Sequence, residues 1–89
     1  MTARRTVRIS NQNGLHARPA AEIVKAANRF KSELTIARDD MEVNGKSIMG
    51  VMMLAAEFGT ELLLCATGPD ENEAVNAVAQ VVEDRFGEA

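Results

Sequence analysis

The chain has 89 residues, of which 46% are hydrophobic and 26% are charged, an ordinary composition for a globular protein. Its net charge of −3 argues against a general nucleic-acid binder, which would need a dominant basic face. One cysteine excludes an internal disulfide, and no segment reaches the roughly 20 apolar residues of a membrane span. We therefore expect a single cytoplasmic domain over residues 1–89.

The first half of the chain predicts a strand, a helix and a hairpin. Apolar and polar residues alternate from Arg5 to Ser10, which is the period of a half-buried strand. From Ala17 onward the apolar spacing becomes helical and predicts an amphipathic helix of about three turns. Alternation returns in residues 33–36 and 41–43, on either side of two aspartates, and predicts a hairpin. The apolar residues of the helix are Ala20, Ile23, Ala27 and Phe30.

The next two segments predict a short helix and a strand. Ser47 suits the N-cap of a helix over about Ile48–Ala56, and Gly59 is a plausible stop beyond it. Thr60–Thr67 is apolar through most of its length, which indicates a strand that is central in its sheet or covered on both sides.

The last segment predicts a third helix and completes the fold. Asp70, followed by Glu73 three residues later, forms a capping-box pattern, and valines at spacings of 3 or 4 mark a buried stripe. The element order is therefore β-α-β-β-α-β-α. A sheet of four short strands needs cover on one face, and the two long helices can supply it. We predict an α+β fold, an open-faced β-sandwich with a four-stranded antiparallel sheet.

The only histidine, His16, stands at the predicted start of the first helix, in the segment NGLHARPAAE. The free N–H groups of Ala17 and Arg18 favour an anion there, because the helix dipole is positive at this end. Pro19 fits the first turn, where a donor would have no intrahelical partner. The Arg18 guanidinium suits phosphate oxygens, and a neutral imidazole is a nucleophile whose bond to phosphorus is labile. These residues alone leave two interpretations open, a phosphoryl or anion site and an exposed loop histidine without a role. A metal site is not expected, since there is no second histidine.

Two segments resemble those of a known family. GLHARPAAEIV and VNGKSIMGVMMLAA are similar to the signature segments of HPr, the histidine-containing phosphocarrier of the bacterial phosphoenolpyruvate-dependent phosphotransferase system. The resemblance implies that His16 accepts a phosphoryl group on Nδ1 from phosphorylated Enzyme I and donates it to EIIA-type proteins for sugar uptake, with Arg18 assisting. Such a protein is a carrier without a cofactor, and it turns over only through its partners.

The resemblance also implies regulation and a partner surface. Ser47 matches the serine that an HPr kinase/phosphorylase modifies in many members, and phosphate there would repel a partner that presents acidic residues to Arg18. We expect a monomer that binds no nucleic acid and does not insert into membranes. The residues implied to contact partners are Ala20, Ile48, Met49 and Met52.

Three alternatives stay open at this stage. A nitrogen-related branch of these carriers shares the histidine segment, although Lys46–Gly50 favours the sugar-type form. A regulatory binding module would act by contact alone. An RNA-binding α+β domain would need stacking aromatics on its sheet, and the chain has no Tyr or Trp.

Overall fold

The computed structural model describes residues 2–88 and contains four strands and three α-helices in the predicted order. The first strand begins and ends earlier than its alternation predicted, because pairing starts with Thr2 opposite Thr67. The strands are β1 (Thr2–Arg8), β2 (Glu33–Arg38), β3 (Met41–Asn44) and β4 (Glu61–Thr67). The helices are α1 (Ala17–Ala27), α2 (Ile48–Met53) and α3 (Glu71–Glu83), followed by a 3₁₀ turn over Arg85–Gly87.

All four strands pair antiparallel in the order β1-β4-β2-β3, which confirms the predicted open-faced α+β fold. β4 is therefore a central strand, and this explains its apolar sequence. Its burial nevertheless alternates, since Leu62 and Leu64 are fully buried whereas Leu63 is 37% exposed. The alternative that both faces of β4 are covered is wrong.

The core lies between the sheet and the helices α1 and α3. Ala20, Ile23 and Ala27 of α1 are completely buried, as their helical spacing predicted. The burial of Ala20 contradicts its expected place at a partner interface, because a side chain turned into the core is not available to another protein. Its interface assignment is wrong.

The second helix is shorter than its sequence predicted, because it ends at Met53 rather than near Ala56. Ala55 adopts a left-handed conformation with φ of +49°, so it terminates the helix in the way that Gly59 was expected to do. Arg38 stabilises this ending, since its Nη1 donates to the carbonyl oxygens of Leu54 and Ala55 at 2.8 Å each. A side chain from β2 thus stabilises the end of α2, which the sequence had assigned to a glycine.

Asp70 is at the N-cap of α3, but its side chain does not cap that helix. Its carboxylate instead accepts from the backbone N–H groups of Lys31 at 3.0 Å and Ser32 at 2.9 Å, which ties the α1–β2 loop to the start of α3. Hydrogen bonds from the Ser32 hydroxyl and these N–H groups lower the pKa of Asp70 to about 2. The predicted capping box with Glu73 is therefore wrong.

Within residues 2–88 we find no helix with the length and apolar character that crossing a bilayer requires.

Candidate functional site

A tight loop before α1 sets the position of His16. Gly14 has φ of +70°, and a Cβ there would lie 2.7 Å from the carbonyl oxygen of Ala56. Leu15 donates its backbone N–H to that same oxygen at 2.8 Å, and its side chain is buried. The loop is therefore held against the segment after α2, and only glycine fits at its closest approach.

His16 is the N-cap residue of α1, but its imidazole makes no capping hydrogen bond. Its extended backbone, with φ of −89° and ψ of −170°, is the usual conformation of an N-cap. The first α1 N–H to find a backbone acceptor is that of Ala20, which donates to the His16 carbonyl oxygen at 3.0 Å. Among residues 2–88, the N–H groups of Ala17 and Arg18 have no acceptor, and both residues are exposed. This helix end is open to an anion.

The C-terminal tail reaches the imidazole. Oε2 of Glu88 lies 3.1 Å from Nε2 of His16 and 2.9 Å from Nη1 of Arg18. Arg18 also donates to the carbonyl oxygen of Phe86 at 3.3 Å. The structure thus brings His16 and Arg18 together as predicted, with Glu88 between them, while 43% of the His16 side chain stays exposed.

The buried Asn11 holds the carboxylate of Glu88 from the other side. Its Nδ2 donates to the carbonyl oxygen of Gly14 at 2.8 Å and to Oε1 of Glu88 at 3.0 Å. Burial raises the pKa of Glu88, but the Asn11 hydrogen bond and the charges of His16 and Arg18 outweigh it and leave the pKa below its ordinary value. Glu88 is therefore a carboxylate at neutral pH.

The backbone of the tail is held in an uncommon conformation. Arg85 and Phe86 both have φ of +56°, and Gly87 follows with φ of +75°. Non-glycine residues adopt this region only where surrounding contacts outweigh its cost. The Phe86 side chain is only 4% exposed and supplies such a contact. Its burial fixes where Glu88 projects.

The second predicted segment forms an exposed apolar surface on α2, which packs against α1. Ser47 caps this helix, since its Oγ accepts from the N–H of Gly50 at 3.1 Å, and this confirms the predicted cap. We define the α2 patch as Ile48, Met49 and Met52, which are 44%, 75% and 42% exposed. The neighbouring Met53 is 64% exposed and was not predicted. Apolar side chains this exposed on a short helix are typical of a contact surface.

Sequence reasoning missed Asn11 and Glu88. Asn11 lies in a loop with no local signal for burial, and Glu88 lies beyond the last helix. The apolar Phe86, placed after the end of that helix, is the one residue that could have indicated a packed tail. Among residues 2–88 there is also no cluster of three metal-ligating side chains.

The chain is similar to known phosphocarrier proteins over nearly its whole length. The model of one family, described as the PTS HPr component phosphorylation site, matches residues 3–84. The phosphocarrier protein HPr of Treponema pallidum is 51% identical over 84 residues, 94% of this chain and 96% of the relative.

Solved structures extend this similarity to the fold. HPr-C-His from Thermoanaerobacter tengcongensis superposes with a TM-score of 0.93 at 44% identity and covers 98% of both chains. Crh of Bacillus subtilis, described as a catabolite repression protein that forms a swapped dimer, has a TM-score of 0.76 at 47% identity and covers 89% of this chain and 91% of its own. The chain belongs to the HPr family of phosphocarrier proteins.

Proposed function

We propose that this protein carries a phosphoryl group on Nδ1 of His16, accepted from phosphorylated Enzyme I and passed to EIIA-type proteins for sugar uptake. One observation carries the proposal: the imidazole stands at an uncapped helix end whose Ala17 and Arg18 N–H groups have no acceptor among residues 2–88. These donors suit phosphoryl oxygens, and the helix dipole adds favourable charge. The place of action is the cytoplasm.

Arg18 assists at the same site. Nη1 is bound to Glu88 and Phe86, but a guanidinium has five N–H donors in a fixed fork. The remaining donors are free to bind a phosphoryl oxygen while the contact to the tail persists. The positive charge of the Arg18 guanidinium would then lie beside the phosphoryl group, and the C-terminal tail would not need to rearrange.

The α2 patch is the surface that partners contact. Ile48, Met49 and Met52 offer exposed apolar area on the helix that packs beside α1. Methionine side chains adapt to different surfaces, which suits a carrier that must bind a donor and several acceptors in turn.

Ser47 is the regulatory site, modified by an HPr kinase/phosphorylase. Its Oγ already accepts a hydrogen bond as the α2 cap, so oxygens of a phosphate can replace that acceptor. The added negative charge borders the α2 patch and weakens binding of acidic partners without refolding the helix.

The test is intact-mass spectrometry after incubation with phosphoenolpyruvate and Enzyme I, comparing wild type with His16→Ala. We expect one phosphoryl group on the wild type, lost in acid and absent from the variant. A folded wild type that gains no mass would overturn the carrier role. Transfer onward to EIIA-type proteins of the sugar and nitrogen branches then decides between those two pathways.

A second candidate is a regulatory module that acts by contact. The exposed α2 patch and the similarity to Crh favour it. In that case a partner would bind His16→Ala and wild type with equal affinity, whereas the carrier role requires His16.

Light scattering at two protein concentrations tests the expected monomer, since the Crh relative is a swapped dimer.

A further inference from the structure

The methionines of residues 2–88 lie on the surface rather than in the core. They are Met41, Met49, Met52 and Met53, and between 42% and 75% of each is exposed. The hydrophobic core of the same residues consists of Ala, Val, Leu, Ile and Phe side chains alone. Methionine is ordinarily among the most buried residue types. Its placement on the surface here therefore indicates a use other than core packing.

The four methionines lie side by side across two elements. Met49 and Met52 belong to the α2 patch, and Met53 follows Met49 by four positions, which makes the two neighbours on the helix surface. Met53 and Met41, which begins β3, line one groove of about 370 Å³ between the contacting elements α2 and β3. We define the methionine surface as Met41, Met49, Met52 and Met53.

α2 does not depend on these methionines for its place in the fold. Its side chains that enter the core are those of Val51 and Leu54, which are 0% and 2% exposed. Ser47 caps its start, and Arg38 binds the carbonyl groups at its end. A chemical change at the methionine sulfur atoms therefore alters the surface of α2 without removing the contacts that hold it.

We propose that the methionine surface is a site of reversible oxidation by hydroperoxides, and that its sulfoxides weaken the binding of partners to the α2 patch. The inference rests on the proposed function, in which partners contact this patch, and it adds a second form of regulation to the same surface. Exposure favours the reaction, because a small peroxide reaches an exposed sulfur without any opening of the fold.

The oxidation balances with the peroxide as the only co-reactant. A lone pair of the methionine sulfur attacks one peroxide oxygen, and the bond between the two oxygens breaks. The second oxygen leaves with that electron pair and takes the proton, as an alcohol or, from hydrogen peroxide, as water. Sulfur is oxidised by two electrons and the peroxide is reduced by two. Methionine sulfoxide reductases reverse the step, and two thiols become a disulfide while the oxygen leaves as water.

The sulfoxide opposes binding because it changes an apolar contact into a polar one. A sulfoxide oxygen binds water in the free protein, and a partner that covers it with apolar groups removes that water without replacing its hydrogen bonds. The hydrogen bonds of Arg18 and the ion pair of His16 involve no methionine. We therefore expect oxidation to lower the affinity for protein partners and to leave the chemistry of His16 unchanged.

Cys65 is a second oxidisable side chain, and its position separates it from the methionine surface. It is partly exposed and lies between the buried Leu64 and Ala66 of β4. Since side chains alternate along a strand, Cys65 points away from the core and the helices that cover it. Oxidation of its thiol would act on the open face of the sheet, so Cys65→Ala is the matched control for that reaction.

The first measurement locates the oxidation. Wild type is treated with hydrogen peroxide under native conditions, and peptide mapping by mass spectrometry follows each methionine. We expect Met49 to react fastest, because at 75% it is the most exposed, and each methionine to gain one oxygen. Urea unfolding of the oxidised protein should give the midpoint of the untreated protein. A slower reaction at Met49 than at the other three, or a lower midpoint, would overturn the proposal.

The second measurement is the KM of Enzyme I for this protein before and after oxidation, compared within each variant. We expect a rise of roughly 10-fold in wild type and in Cys65→Ala, reversed by sulfoxide reductases. The triple variant Met49→Leu, Met52→Leu and Met53→Leu should show no change on oxidation, because leucine keeps a similar volume and has no sulfur. Phosphorylation of His16 by phosphoramidate, a small donor that does not dock as a protein does, should proceed at the same rate before and after oxidation.

The outcomes separate this proposal from the proposed function. An unchanged KM in oxidised wild type, or an equal rise in the triple variant, would overturn the role of the methionine surface while the carrier role stands. Failure of Enzyme I to modify untreated wild type that phosphoramidate does modify would overturn the proposed function and the effect on partners with it. The order of oxidation in the peptide map would then still decide whether the methionine surface is the site that peroxide modifies.

Discussion

The starts of α1 and α2 are two solutions to the same problem. Each helix must find partners for the free N–H groups of its first turn. At α2, Ser47 supplies its own Oγ to the N–H of Gly50. At α1, His16 supplies only its backbone, and its imidazole turns to Glu88 instead. The first solution stabilises a helix locally, and the second leaves donors available to a ligand.

The difference shows how a helix end gains a function. An open N-terminus gives up the roughly 1 kcal/mol that a capping side chain contributes. In α1 that loss is offset by tertiary contacts, namely the buried α1 residues, the bond from Leu15 to Ala56 and the packed tail. The short α2 relies on its own cap and on the contact from Arg38. The capping interaction is therefore absent where other parts of the fold replace it.

Replacing His16 with Ser would make the two helix starts alike, and we expect the largest effect of all from it. Phosphoryl acceptance should be lost completely, because a serine hydroxyl is not activated here. Stability should be retained, since Ser is a good N-cap. Intact-mass spectrometry with urea unfolding of the same variant checks both parts. An acid-labile phosphoryl group on the variant would contradict the assignment of His16.

Gly14→Ala should destabilise the protein by about 2 kcal/mol and disturb the position of His16. The reason is steric as well as conformational, since the new Cβ would lie 2.7 Å from the Ala56 carbonyl oxygen. Gly59→Ala is the matched control, because Gly59 has φ of +89° but nothing within 4 Å of the added carbon. Urea denaturation of both variants separates the clash from the left-handed backbone. Equal losses would show that the approach to Ala56 does not matter.

Ser47→Ala should lower the free energy of unfolding by about 1 kcal/mol, because it removes the cap of α2 without altering the proposed site at His16. Ser47→Asp should keep the cap, because Asp ranks with Ser at this position, and add a charge beside the α2 patch. Chemical denaturation compares the stabilities, and titration with Enzyme I at low and high salt detects the charge. A Ser47→Asp variant as unstable as Ser47→Ala would argue against the capping role.

The smallest effect that we expect is a partial loss of stability in acid, and it concerns the N-cap residue of α3. The pKa of Asp70 is about 2 in the folded protein, below its ordinary value of 3.8. The ionised carboxylate of Asp70 therefore contributes to the free energy of unfolding above about pH 4, and this contribution is lost as the pH falls toward 2. The contribution is small, because Asp70 is partly exposed and solvent screens its charge.

Thermal unfolding between pH 5 and pH 2 tests this expectation. Wild type should lose stability more steeply than Asp70→Asn across that range, whereas Asp40→Asn in the exposed β2–β3 turn should follow wild type. Parallel curves for wild type and Asp70→Asn would show that Asp70 is not responsible.

The periodicity of the sequence was sufficient to predict the elements and their order, because burial on one face imposes a fixed spacing on apolar residues. Element ends were less predictable. Ala55 terminates α2 because Arg38 holds the carbonyl groups there, and Asp70 serves the α1–β2 loop rather than its own helix. Both outcomes depend on residues distant in the chain, so no local pattern shows them.

The sequence by itself indicated the strands and helices in their order, the anion-binding start of α1 on which the proposed phosphoryl role of His16 and Arg18 rests, and the cap at Ser47, since each depends on neighbours within a few positions. Only the tertiary structure decided what surrounds the imidazole. Glu88 meets Arg18 across 70 positions and Asn11 across 77, and it does so because Phe86 is buried. A carboxylate brought from so far reaches His16 through packing of the tail, which side-chain spacing along the chain does not encode.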